Sequence, residues 1–181
     1  MAEYAFVTTW RLDAPVDRVY DAIRDSLSWP KWWDSVLAVE DLTPGDDAGI
    51  GSLRRYTFKG RLPYLLRFDL TTDVVLPPER LGGTAVGELE GRGDWTLRAD
   101  GPDVTYVRYD WVIRTTRPWM NALAPLPFVR RIFELNHDHV MNRGLVGIRR
   151  HLGVAGRSVP DDAIEPAGAP GRADAAEAAQ S

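Results

Sequence analysis

Two segments in the middle of the chain alternate strictly enough to fix much of its architecture. In YLLRFDLTTDVVL, Leu66, Phe68, Leu70, Val74 and Leu76 share one face of an extended strand, and Arg67, Asp69 and Asp73 share the other. In VTYVRYDWVIRTT, Val107, Tyr109, Trp111 and Ile113 oppose Arg108, Asp110 and Arg114. Successive side chains on a strand point to opposite faces, so each segment has one apolar side and one wetted side. EYAFVTTWRL, SVLAVEDL, SLRRYTFKG, GTAVGELEG and RGDWTLRAD also read as strands, divided by turn signals such as LPPERLGG and ADGPD. The pattern is that of an antiparallel sheet with one face on the core.

Helices flank this run of strands. In DAPVDRVYDAIRDSLSWP, Val16, Val19, Tyr20, Ile23 and Leu27 recur at helical spacing, with Asp13 as the expected N-cap and Pro15 in the first turn. Pro30 ends that helix or opens a short second one, and SWPKWWD crowds three tryptophans around it. The last structured segment is helical, broken at Pro125 and Pro127, and runs for about seven turns from Phe128. Phe133, His137, Val140, Met141, Gly144 and Ile148 form one stripe along it. Strands and helices in this order make an α+β domain over residues 1–152. Residues 153–181, rich in Ala, Gly, Pro and acids, have little to bury and are expected to be a disordered tail.

Hydrophobic residues at 44% and charged residues at 27% of 181 suit one globular domain. A net charge of −4 with no clustered basic face argues against a nucleic-acid partner. The absence of cysteine removes disulfides and thiolate chemistry, and fits a reducing compartment. No apolar run reaches the roughly 20 residues that span a bilayer, and the N-terminus is not built as a signal peptide, so a cytoplasmic protein without stable membrane insertion is expected. His137 and His139 diverge by about 200° on a helix and cannot share a metal. No dinucleotide fingerprint, phosphate loop or nucleophile elbow is present, and nothing demands a cofactor or a metal.

With WRLDAPVDRVYDAIRDSLSWPKWW near its start and TTRPWMNALAPLPFVRRIFELNHDHVMNRGLVGIRRHL at its end, the chain resembles the START-related helix-grip superfamily, also called SRPBCC. Within it, the likeness is to the bacterial polyketide cyclase/dehydrase and lipid-transport branch. The resemblance implies a helix-grip fold: a curved antiparallel sheet of about six to seven strands wrapped around the long C-terminal helix, with two short helices after the first strand. It also implies an internal cavity between sheet and helix.

Several residues fall where such a cavity would be. Arg54 and Arg55 are adjacent on a strand, so one faces inward, and Arg54 lies on the side of Tyr56, with Phe58. That arginine either snorkels to the sheet edge or grips a ligand carboxylate or enolate oxygen. Ala85, Gly87 and Leu89 share one face, where small residues leave volume open. Phe68, Trp95, Tyr109 and Trp111 add aromatic lining, and Phe133, His137 and Met141 face them from the helix. Trp33 either seals the end of the domain or touches the ligand. His137 is either a proton-transfer group or a core histidine held by a hydrogen bond. The leading expectation is a protein that binds or carries a small hydrophobic molecule, aromatic, lipid or polyketide-like. The alternative is an aromatase/cyclase or dehydratase, with Arg54, Tyr109 and His137 as catalytic candidates. A protein-interaction module would need an exposed apolar patch, of which the sequence carries no sign.

Overall fold

The computed structural model describes residues 3–116 and 127–165. The chain runs β1 (Glu3–Leu12), α1 (Val16–Arg24), a 3₁₀ turn (Ser26–Ser28) and α2 (Trp29–Trp32) before the main run of strands. These are β2 (Val36–Thr43), β3 (Leu53–Lys59), β4 (Leu65–Leu76), β5 (Arg80–Gly87), β6 (Leu89–Ala99) and β7 (Thr105–Thr115). The long helix α3 (Pro127–Leu152), β8 (Gly156–Ser158) and a 3₁₀ turn (Asp161–Ala163) follow. All strands join one curved, open antiparallel sheet in the order β2-β3-β4-β5-β6-β7-β1-β8. This is the helix-grip arrangement, with eight strands among the described residues where six or seven were expected. No helix among the described residues is long and apolar enough to cross a membrane.

The inward face follows the alternation closely in β7 but not throughout β4. Thr72 pairs with Gly83 and Val74 with Gly82, so Asp73 is an extra residue, a β-bulge. Beyond the bulge the alternation reverses. Val75, not Val74, reaches the interior, and Leu76 is 53% exposed. GTAVGELEG is also not one strand: β5 ends at Gly87, whose φ of +128° suits glycine, and β6 restarts at Leu89.

Helix α1 buries Val19, Tyr20, Ala22 and Ile23. Its N-cap is Pro15, without a side-chain hydrogen bond, and the expected cap Asp13 instead pairs with Arg11. The tryptophans of SWPKWWD are all buried, and each indole N–H has a partner. Trp29 donates to the carbonyls of Ala22 and Ile23, Trp32 to Ser28 Oγ, and Trp33 to Val140 O at 2.8 Å. Helix α3 comes close enough to receive them because it carries two glycines. A Cβ on Gly144 would lie 2.6 Å from the Trp33 ring, and one on Gly147 only 1.9 Å from Trp32 O.

The segment after α3 corrects the expected boundary at residue 153. β8 adds to the edge of β1, Val159 N donates to Thr9 O at 3.0 Å, and Ile164 is buried. Arg108, paired with Asp110, donates to Asp161 O and Ile164 O. A few apolar side chains and one arginine suffice to dock residues that composition alone assigns to a tail. Residues 166–181 of that expectation lie outside the described residues.

Candidate functional site

Between the concave sheet face and α3 lies a cavity of about 520 Å³, within the range that holds small molecules. Its volume exists because two aromatic groups lie flat instead of standing inward. Gly83 and Gly93 are register partners, and Gly93 also faces Trp111. A Cβ on Gly93 would stand 2.6 Å from the Tyr109 hydroxyl oxygen and 2.8 Å from the Trp111 ring, so these rings rest directly on glycine backbone.

The flattened rings form a shelf. Trp95 and Tyr109 have centroids 4.1 Å apart at 23°, and Tyr109 and Trp111 are 5.8 Å apart at 20°. A second shelf comes from β3 and β4, where Tyr56, Phe58 and Phe68 stack within 6.3 Å of one another. Phe68 joins the two shelves at 5.7 Å from Trp111.

Polar groups gather toward the two ends of β3, about 20 Å apart by strand rise. Beside α1, Arg54 Nη1 donates to Ser26 Oγ at 2.9 Å, and Ser26 Oγ is 2.8 Å from the Tyr56 hydroxyl. Arg54 also reaches Asp41 at 3.5 Å, and Asp21, Arg24 and Asp25 share this rim. Burial raises the Tyr56 pKa against the opposing effects of Ser26 and Arg54. At the other end Asn136 of α3 accepts from the backbone N–H of Arg61 at 2.8 Å, pinning the loop that carries Leu62 and Tyr64. Burial pushes the Tyr64 phenol up to about 12.

His137 faces the cavity from α3. Its Nε2 is 3.1 Å from Thr8 Oγ1, and its ring stacks on Phe6 at 4.5 Å and 12°. Burial lowers its pKa to about 4, so it is neutral at pH 7. Burial also holds the Tyr109 pKa well above 10.

Residues 4–153 match the family described as polyketide cyclase/dehydrase and lipid transport. The chain belongs to that family. Its fold is similar to the Zhui aromatase/cyclase from Streptomyces sp. R1128, at TM-score 0.68 and 15% identity over 84% of this chain and 94% of that one. A START superfamily protein from Mycobacterium smegmatis is similar at TM-score 0.67 and 16% identity over 82% and 98%. The di-domain aromatase/cyclase BexL of the BE-7585A biosynthetic pathway gives TM-score 0.58 and 16% identity, over 81% of this chain and 48% of BexL. No curated protein matches the chain in sequence. At these identities the solved structures speak for the fold.

On this family scaffold, Trp33, Arg54, Tyr56, Phe58, Phe68, Trp95, Tyr109, Trp111, Phe133, His137 and Met141 all line the cavity. Gly87 does not. It sits exposed at the end of β5, and the glycines that line the cavity floor are Gly82, Gly83 and Gly93 instead, with Leu70 packed close over Gly83 and Tyr109 and Trp111 over Gly93. Arg54 is held by Ser26 and Asp41 and does not stand free in the cavity. Sequence reasoning missed Thr8, the partner of His137, although it follows Tyr4 and Phe6 on the inward parity of β1. It also missed Ser26, for which no local pattern signals a role.

Proposed function

We propose that this protein binds and carries a small hydrophobic, ring-bearing molecule in the cavity between the sheet and α3. The observation that carries this reading is the pair of aromatic shelves that line the sheet wall of the cavity of about 520 Å³. Such walls favour planar apolar ligands through area and ring stacking.

A cyclase or dehydratase acting in the same cavity is the competing reading, and the family's description and the Zhui and BexL neighbours support it. The protonation states favour the carrier. General acid–base catalysis works best with a group whose pKa lies near the working pH. His137 sits at about 4 and Tyr109 well above 10, so neither exchanges a proton readily at pH 7.

The test is a fluorescence titration with N-phenyl-1-naphthylamine, an uncharged apolar dye. It should bind one-to-one, and Val140→Phe, which adds a ring from α3 into the cavity, should weaken it at least tenfold while Tm moves only a few degrees. A dye that fails to saturate, or that ignores Val140→Phe, would remove the binding reading. Native mass spectrometry of protein from its own host would then identify the natural occupant.

A further inference from the structure

The polar atoms of the cavity wall divide into those with partners and those without. The Trp29 and Trp33 N–H groups donate to backbone carbonyls, Tyr56 is bonded to Ser26, and His137 to Thr8. Tyr109 is different. Its ring is enclosed by protein, yet the residue is only half-buried by accessible surface, so that surface faces the cavity. Among the described residues its hydroxyl has no hydrogen-bond partner. Nor is it sealed, as the unpartnered polar atoms of Thr9, Trp10 and Thr96 are.

A hydroxyl in that position leaves about 1–3 kcal/mol of hydrogen bonding unmade unless something in the cavity accepts it. A ligand oxygen would take the place of any water there, which itself needs two to four polar partners. The Trp95 and Trp111 rings and the backbone at Gly93 lie against this hydroxyl, and Tyr56 and Asp94 are near enough to act on it electrostatically.

We infer that the Tyr109 hydroxyl is the polar anchor of the cavity, selecting an uncharged aromatic ring that bears an oxygen acceptor such as a ketone or quinone. The inference rests on the cavity being a binding site. The ring lies against the Trp95–Tyr109–Trp111 shelf, and its oxygen accepts the phenolic proton. That proton is in place at neutral pH, since burial holds the phenol well above its ordinary range. Among the described residues that line the cavity the cations are Arg24 and Arg54, both on the rim beside α1 and the second tied to Ser26 and Asp41, while His137 is neutral. An unpaired charge in such surroundings is strongly disfavoured.

Three probes sharing one bicyclic ring test the assignment at pH 7.5: naphthalene, 2-acetylnaphthalene and 2-naphthoate, each displacing N-phenyl-1-naphthylamine. Wild-type protein should bind the ketone several-fold more tightly than the hydrocarbon, and the carboxylate most weakly. Tyr109→Phe keeps the stacked ring and removes the hydroxyl. It should cut ketone affinity roughly five- to tenfold and leave naphthalene within about twofold. Equal ketone affinity in both proteins, or tightest binding of the carboxylate, would overturn the anchor while leaving the cavity reading intact. If neither naphthalene nor the ketone binds wild type, the cavity reading fails and the anchor with it. Should Tyr109→Phe not fold, the ranking of the three probes on wild type decides.

Discussion

At pH 7 His137 carries no charge, and holding it neutral ties the stability of the fold to pH. Its pKa is about 4 in the folded protein against 6.5 for an ordinary histidine. As pH falls below 6.5 the unfolded chain takes up a proton that the native state refuses, so stability is lost from there down to about 4. Above 6.5 the contribution is complete. The full difference amounts to about 3 kcal/mol. Carboxylates such as Asp69, held below the usual range by its hydrogen bond to Arg55, lose stability in acid too, so the histidine must be isolated by difference. His137→Gln can keep a hydrogen bond to Thr8 but cannot titrate. Urea unfolding at pH 7.5 and pH 4.5 should show wild type losing about 2–3 kcal/mol more than the variant. Parallel losses would mean that His137 is not held neutral in the cavity wall.

The contact between α2 and α3 sets where the second wall of the cavity stands. Alanine normally favours a helix over glycine by about 1 kcal/mol. At Gly147 the added Cβ would meet the Trp32 carbonyl, a backbone atom that cannot rotate aside. Gly147→Ala should therefore destabilise by about 1–3 kcal/mol despite its better propensity, measured by chemical denaturation. A stabilised variant would show that α3 has room to move outward. Helical spacing places Gly144 on the inward stripe, but nothing local shows that Trp33 lies on it, because that contact spans more than a hundred residues. The alternation in β7 was legible because its ladder is unbroken. In β4 the same reasoning fails after Asp73, since a bulge leaves no trace in a polar–apolar pattern. Gly87 misled for a related reason: a glycine in a strand-like run marks either open space or a turn, and here its positive φ makes it a turn. The aromatic lining could be read from parity alone, whereas Gly93 acquires its role only through the Tyr109 and Trp111 rings that lie on it, and Gly83 through Leu70.

Across the whole molecule, the chain beyond α3 separates stability from binding. β8 pairs Ser158, Arg157 and Gly156 with Trp10, Arg11 and Leu12, and Ile164 is buried beside Arg108. Arg108 and Thr9 have the opposite parity to Tyr109 and Thr8, so this segment covers the outer face of the sheet while the cavity opens on the inner one. A chain ending at Gly153 loses the β8 pairing and the burial of Ile164, itself worth about 1.5–3 kcal/mol. Its Tm should fall by roughly 5–10 °C. A chain ending at Glu165 keeps every one of these contacts. The remaining PAGAPGRADAAEAAQS has no large apolar side chain, so this shorter chain should melt within about 2 °C of the full one. Ile164→Ala should reproduce much of the larger loss by itself. Binding should respond differently. With the fold maintained below its lowered Tm, both Ile164→Ala and the chain ending at Gly153 should hold N-phenyl-1-naphthylamine within about twofold of wild type, because additivity holds for sites without shared partners. A Tm unchanged by the deletion would show that the outer-face docking contributes nothing. A tenfold loss of dye affinity in Ile164→Ala would show that the sheet passes strain from its outer face into the cavity.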